Sequence, residues 1–177
     1  MRKSHISLII AAALVMLLGV GVTVAYLVTS SNVVKNTFTV GFVDITLTET
    51  TGKEYKIIPG ATVAKDPTIT VVENSEECWL FVSVEKTDPF DTFCNYEMSD
   101  GWTALAGHSG IYYRKVGRAL QNMSFQVLKD NCVLINDTVT EELLNTVTNN
   151  PILKFTAYAA QSDGFETAHE AWQILNP

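Results

Sequence analysis

The chain is short of cations. Across 177 residues, 12 Lys and Arg stand against 19 Asp and Glu, a net charge of −7. Without residues 1–25, ten basic and nineteen acidic residues remain, which makes −9. A domain of that balance repels the phosphates of nucleic acid and of anionic lipid, so a nucleic-acid partner is not expected. Cysteine is also scarce. Cys78, Cys94 and Cys132 include no C-x-x-C, which argues against structural zinc and dithiol redox chemistry. The catalytic motifs are missing too. Gly60 and Gly101 read as turn glycines rather than a phosphate cradle, and no serine lies in a G-x-S-x-G context. His169-Glu170 starts like a zinc-protease helix, but Gln173 stands where a second imidazole is needed. The other histidines, His5 and His108, fall in the leader and in a loop. No cofactor, metal or catalytic residue is expected.

What the chain does have begins at its N-terminus. Arg2 and Lys3 precede an uncharged run from Ile6 to Val28, with Thr23-Val24-Ala25 near its end. A small residue at the last position and a tolerable one at the third from last suit a signal peptidase, which predicts a cut between Ala25 and Tyr26. The run also meets the ~20 residues a membrane helix needs, so an uncleaved anchor is the alternative. Either way the remainder is exported, and the leader is the only membrane contact expected.

The expected organisation is a leader over 1–25, an extended arm over 26–37 and one domain over 38–177. Period-2 alternation marks Val43, Ile45 and Leu47 as one face of a strand. Further strands are expected at Tyr55–Ile58, Thr68–Val72, Cys78–Val84, Ile111–Arg114, Phe125–Leu128, Cys132–Ile135 and Ile152–Ala160. Cys78–Val84 is apolar on both faces in its first half, as a central strand must be. Thr87–Gly101 is polar and acidic and reads as a long loop. Its Asp88, Asp91, Glu97 and Asp100 match no calcium-loop spacing and are expected to be solvated.

Two capping boxes announce short helices. Thr138-Val139-Thr140-Glu141 precedes Leu143, Leu144 and Val147, and Thr167-Ala168-His169-Glu170 precedes Ala171, Trp172 and Leu175. With no alternation of strands and helices, the expected fold is all-β: an antiparallel, jelly-roll-like sandwich with two short helices. Cys78 shares a face with Leu80 and Val82 and reads as a free buried thiol, while Cys94 and Cys132 lie in polar surroundings in the sequence and are the disulfide candidates.

Several pieces in order resemble the TasA and camelysin family of secreted Gram-positive surface proteins. They are the leader running into Ala25-Tyr26, Asn36-Thr37-Phe38 followed by Gly41, Ile58-Pro59-Gly60, Asp66-Pro67, and Cys78-Trp79-Leu80-Phe81-Val82. Phe155 to Gln161, Gly164-Phe165 and the Trp172 helix complete the set. The resemblance implies processing by a SipW-type signal peptidase, a jelly-roll-like domain and assembly into biofilm-matrix fibres. The metalloprotease activity ascribed to camelysin is not carried over, because the second zinc-binding histidine is lacking.

A structural subunit that polymerises, or joins related matrix subunits, is therefore the leading expectation. A monomeric adhesin or anchored binding module is the second, and a secreted hydrolase the weakest. For polymerisation, the arm is the expected connector. Tyr26, Leu27, Val28, Val33 and Val34 are β-favouring and apolar, and suited to adding as a strand to a neighbouring subunit. The alternatives are an edge strand of its own domain or a flexible linker.

Overall fold

A computed structural model describes residues 42–52, 55–145 and 149–175. The cleavage site at Ala25-Tyr26 and the arm therefore lie outside the described residues, as does Val147. The strands are β1 (Ile45–Thr48), β2 (Thr62–Ala64), β3 (Thr68–Val71), β4 (Cys78–Lys86), β5 (Cys94–Asn95), β6 (Thr103–Ala104), β7 (Ile111–Val116), β8 (Met123–Gln126), β9 (Cys132–Ile135) and β10 (Leu153–Gln161). The helices are α1 (Phe90–Phe93), α2 (Glu141–Asn145) and α3 (Ala168–Leu175), and a 3-10 turn spans Lys129–Asn131. Every strand pairing is antiparallel. The fold is an all-β sandwich with short helices, as the period-2 pattern predicts.

The strands form three sheets, in the orders β1-β3-β8, β10-β4-β7-β6 and β2-β9-β5. The four-stranded sheet is the spine, and β4 runs through it between β10 and β7. Alternation along β4 explains the layering. Cys78, Leu80, Val82 and Val84 point to one face and join Ile69 and Val71 of β3 and Val133 and Ile135 of β9 in the main core. Trp79 and Phe81 point to the other face, where Ala168, Ala171 and Trp172 of α3 cover them. Both faces of the strand are thus buried, and each calls for apolar side chains. Opposite these large residues β10 carries small ones: Ala157 faces Val82, Ala159 faces Leu80 and Ala160 faces Trp79. Leu153, Phe155, Ala157 and Ala159 share the core-facing side as expected.

Gly110 shows how closely the chain folds on itself. It has φ +75°, and a Cβ there would stand 2.6 Å from the Val84 carbonyl oxygen. Only glycine allows that approach, through which the Val84 amide donates to the Gly110 carbonyl at 2.8 Å.

Several expectations are corrected. Tyr55–Ile58 is not a strand; the strand here follows the Pro59-Gly60 turn, at β2, where Val63 lies opposite Val133. Short apolar runs without alternation do not specify pairing, and Tyr55 and Ile58 remain exposed. Thr87–Gly101 is more than a loop. It contains α1 and β5, because Phe90 and Phe93, one turn apart, both bury into the core. The described helices therefore number three rather than two. Leu47 stays 37% exposed, on a strand that is the edge of its sheet among the described residues. In α2 the cap is Thr140 rather than Thr138: its Oγ1 accepts from the Leu143 amide at 3.2 Å, and Val139 is buried just ahead of it.

Candidate functional site

The titratable side chains are arranged mainly as separate surface pairs. Lys65 holds Glu49, Lys86 holds Asp91, Lys115 holds Glu77, Arg118 holds Glu76, Lys129 holds Glu97 and Lys154 holds Glu85, at 2.6 to 3.5 Å. Two of the four acids of the 88–100 segment are therefore neutralised by lysines rather than gathered around a cation. Among the described residues no three His, Cys, Asp or Glu side chains come together as a metal site. Lys129 keeps the Glu97 carboxyl below the usual glutamate range, and Lys115, aided by Ser162, does the same for Glu77.

Asp66 has the densest carboxylate environment. It accepts from the hydroxyl and amide of Thr50 and from the hydroxyl and amide of Thr51. Led by the Thr50 hydroxyl, these bonds hold its carboxyl well below the ordinary aspartate range. Asp66 thus ties the segment after β1 to the start of β3.

The tertiary structure brings two of the histidines together. His108 lies in the β6–β7 turn and His169 on α3, far apart in sequence, yet their ring centroids are 5.2 Å apart. His108 also meets Trp172 edge-on at 6.3 Å. His169 Nε2 is 3.2 Å from the Gln173 amide nitrogen, so Gln173 occupies the place one turn on where the zinc motif would need an imidazole. Glu170 is engaged in the cap. Its carboxylate accepts from the amides of Glu166 and Thr167, while the Glu170 amide donates to Thr167 Oγ1 at 3.3 Å.

All three cysteines are free thiols. Cys78 is fully buried, as expected, and burial pushes its thiol up to about 11. Cys94 is not in polar surroundings; it lies in the core, opposite Ile135. Cys132 begins the same strand β9, three positions from Ile135 and on the other face. Three steps along a strand are about 10 Å, beyond the ~7 Å Cα separation a disulfide spans. The expected Cys94–Cys132 bridge is incompatible with this register.

Two surfaces stand out. The first is an edge. β10 is nine residues long and, among the described residues, pairs with β4 on one side only. β1 passes close to it, but the two share no ladder among the described residues. The second is a depression of about 440 Å³ beside Arg114. Sequence reading overlooked this arginine. The available signal was its register: on β7 it alternates with Tyr113 and shares the inner face with Tyr112 and Val116, an uncommon place for a cation. A separate cavity of about 550 Å³ lies between β2, β9 and the start of β10, walled by Ile57, Val63, Phe90, Val133 and Leu153. Lys65 at its wall is paired with Glu49 and faces the Phe155 ring.

Comparison with protein-family models, with curated proteins and with solved structures finds no match for this chain.

Proposed function

We propose that the chain is a secreted structural protein, a subunit or accessory component of extracellular matrix fibres of the TasA and camelysin kind, and not an enzyme. The observation that supports this best is the nine-residue β10 edge, which pairs with β4 and leaves its other side without a ladder among the described residues. Unpaired strand backbone is a template for a further strand.

In this reading the arm from Tyr26 supplies that strand to the next subunit. Backbone hydrogen bonds would supply affinity, and alternate side chains of Tyr26, Leu27, Val28, Val33 and Val34 would supply specificity. Cutting after Ala25 would be the trigger, because the arm stays tethered to the membrane until a signal peptidase acts. Head-to-tail contacts of this type need not close into a ring and can extend as a filament. A cell-surface adhesin or membrane-anchored binding module is the second reading, and the Arg114 depression is the feature that favours it.

The test has two arms. Intact mass of the extracellular protein should place Tyr26 at its N-terminus; a full-length species confined to the membrane fraction would identify an anchored module. Purified protein beginning at Tyr26 should form fibres in electron micrographs, and protein beginning at Asn36 should fold but remain monomeric. Equal fibres from both would remove the arm from the mechanism. A Tyr26 form that stays monomeric at high concentration would move the binding module ahead.

A further inference from the structure

We propose that Arg114 is the anion-recognising group of a shallow binding site for uronate sugars, placed where β7, β8 and the turn before β6 meet. The inference does not depend on whether the chain polymerises.

Arg114 is an inward-facing cation on β7, opposite Leu80 of the main core. Its guanidinium does not enter the core. It emerges at the margin of the sandwich between two rings, with its central carbon 4.0 Å from the Phe125 centroid and 5.4 Å from the Trp102 centroid. Trp102 is itself locked, because its indole N–H donates to the Gln126 carbonyl at 2.8 Å. Gly101 packs against the guanidinium, where a Cβ would stand 2.8 Å from Arg114 Nη2. The guanidinium is therefore in contact with two rings and the Gly101 backbone before any ligand arrives.

Among the described residues, no carboxylate lies within ion-pair distance of it. No hydrogen bond or ion pair reaches any of its donors, and Nε is buried without an acceptor. Six other cations of the described residues, by contrast, each hold a carboxylate. If the side chain served only to staple β7 to β8, its ring contacts could be made by Met or Leu without leaving donors unsatisfied. A guanidinium fork matches a carboxylate bidentately, and this one keeps its donors uncommitted.

The surroundings narrow the ligand. Thr68, Ser99, Ser124 and Gln126 line the same depression of about 440 Å³, with the Thr68 hydroxyl donating to the Asp66 carbonyl and the Ser124 hydroxyl bonded to that of Thr70. They suit the hydroxyls of a sugar. Asp100 is there as well. Its negative charge opposes any anion, a phosphate dianion more than a single carboxylate, while its oxygens can accept from sugar hydroxyls. One carboxylate among several hydroxyls is the chemistry of a uronic acid residue, as found in acidic polysaccharides.

The experiment is a titration of the purified chain with trigalacturonate. Controls are its fully methyl-esterified form, which removes the charge, and inorganic phosphate, which lacks the hydroxyls. Saturable binding should shift the Trp102 indole N–H and the amides of Ser99 and Gln126 in nuclear magnetic resonance spectra. Esterification should weaken it by about tenfold or more, the loss expected for a charge-assisted bidentate pair. Arg114→Met should abolish binding with an unchanged or higher melting temperature. Arg114→Lys should weaken it about tenfold, since the charge stays and the fork is lost. Asp100→Asn should weaken trigalacturonate and strengthen phosphate. The proposal is overturned if wild-type protein shows no saturable shift at these signals, or if Arg114→Met or Arg114→Lys binds as wild type does. Phosphate binding as tightly as trigalacturonate, with both strengthened in Asp100→Asn, would also overturn it by identifying a general anion site.

Discussion

Trp172 packs across Phe81 with ring centroids 5.2 Å apart, so α3 closes the outer face of the central strand. Tyr158 meets the same indole edge-on at 5.3 Å. Trp172→Ala should cost about 3–5 kcal/mol, because it opens a cavity among buried rings. Trp172→Phe should cost only about 1 kcal/mol, since the buried indole N–H has no acceptor to lose. Urea unfolding of the two variants checks both.

The two caps separate by residue. Thr167→Ala should lower stability by about 1 kcal/mol through loss of the α3 cap. In α2, Thr140→Ala should cost a similar amount and Thr138→Ala close to nothing, because Thr140 is the residue that receives the Leu143 amide. If Thr138→Ala were the costlier of the pair, the assigned start of α2 would be wrong.

Asp66 predicts acid sensitivity with a defined sign. Its folded pKa lies below the ordinary 3.8, so the folded state binds fewer protons than the unfolded state as pH drops through that value. The stabilisation is fully present above the unfolded pKa and is lost as pH falls toward the folded one. Asp66→Asn should be less stable at neutral pH. It should also show a shallower dependence of the denaturation midpoint on pH below about 4. Parallel wild-type and variant profiles in that range would count against the role assigned to Thr50 and Thr51.

The thiols should differ in reactivity. Cys132 is half-buried, while Cys78 and Cys94 lie in the core, and burial raises both of the latter above the usual thiol range. Native alkylation should label Cys132 first, and Cys78 and Cys94 only on unfolding. Non-reducing peptide mapping should find no Cys94–Cys132 bridge. Finding one would mean that β5 and β9 pair in another register.

Much of the sandwich was legible because burial on one or both faces of a strand leaves a local trace. Thr68–Val71 and Cys132–Ile135 alternate, and Cys78–Val84 is apolar on both sides. The α3 cap was legible for the same reason, since Thr167 and Glu170 are three residues apart. Failures came where the deciding partner was distant. Phe90 and Phe93 form a helical turn in a polar stretch because the core has room for both rings. Cys94 seemed polar by its neighbours in sequence but lies opposite Ile135 in space.

The sequence by itself determined the β class, the central strand, the C-terminal helix and the acidic charge, since each depends on composition or on residues within one turn or one pleat of each other. Only the tertiary structure decided which thiols can meet, that His108 reaches His169, and that Arg114 meets Trp102 and Phe125 with no ion pair among the described residues. These relationships depend on strand register and sheet packing. Pairing over long loops is set by the whole core, and a shift of one residue would turn every side chain of a strand to the opposite face.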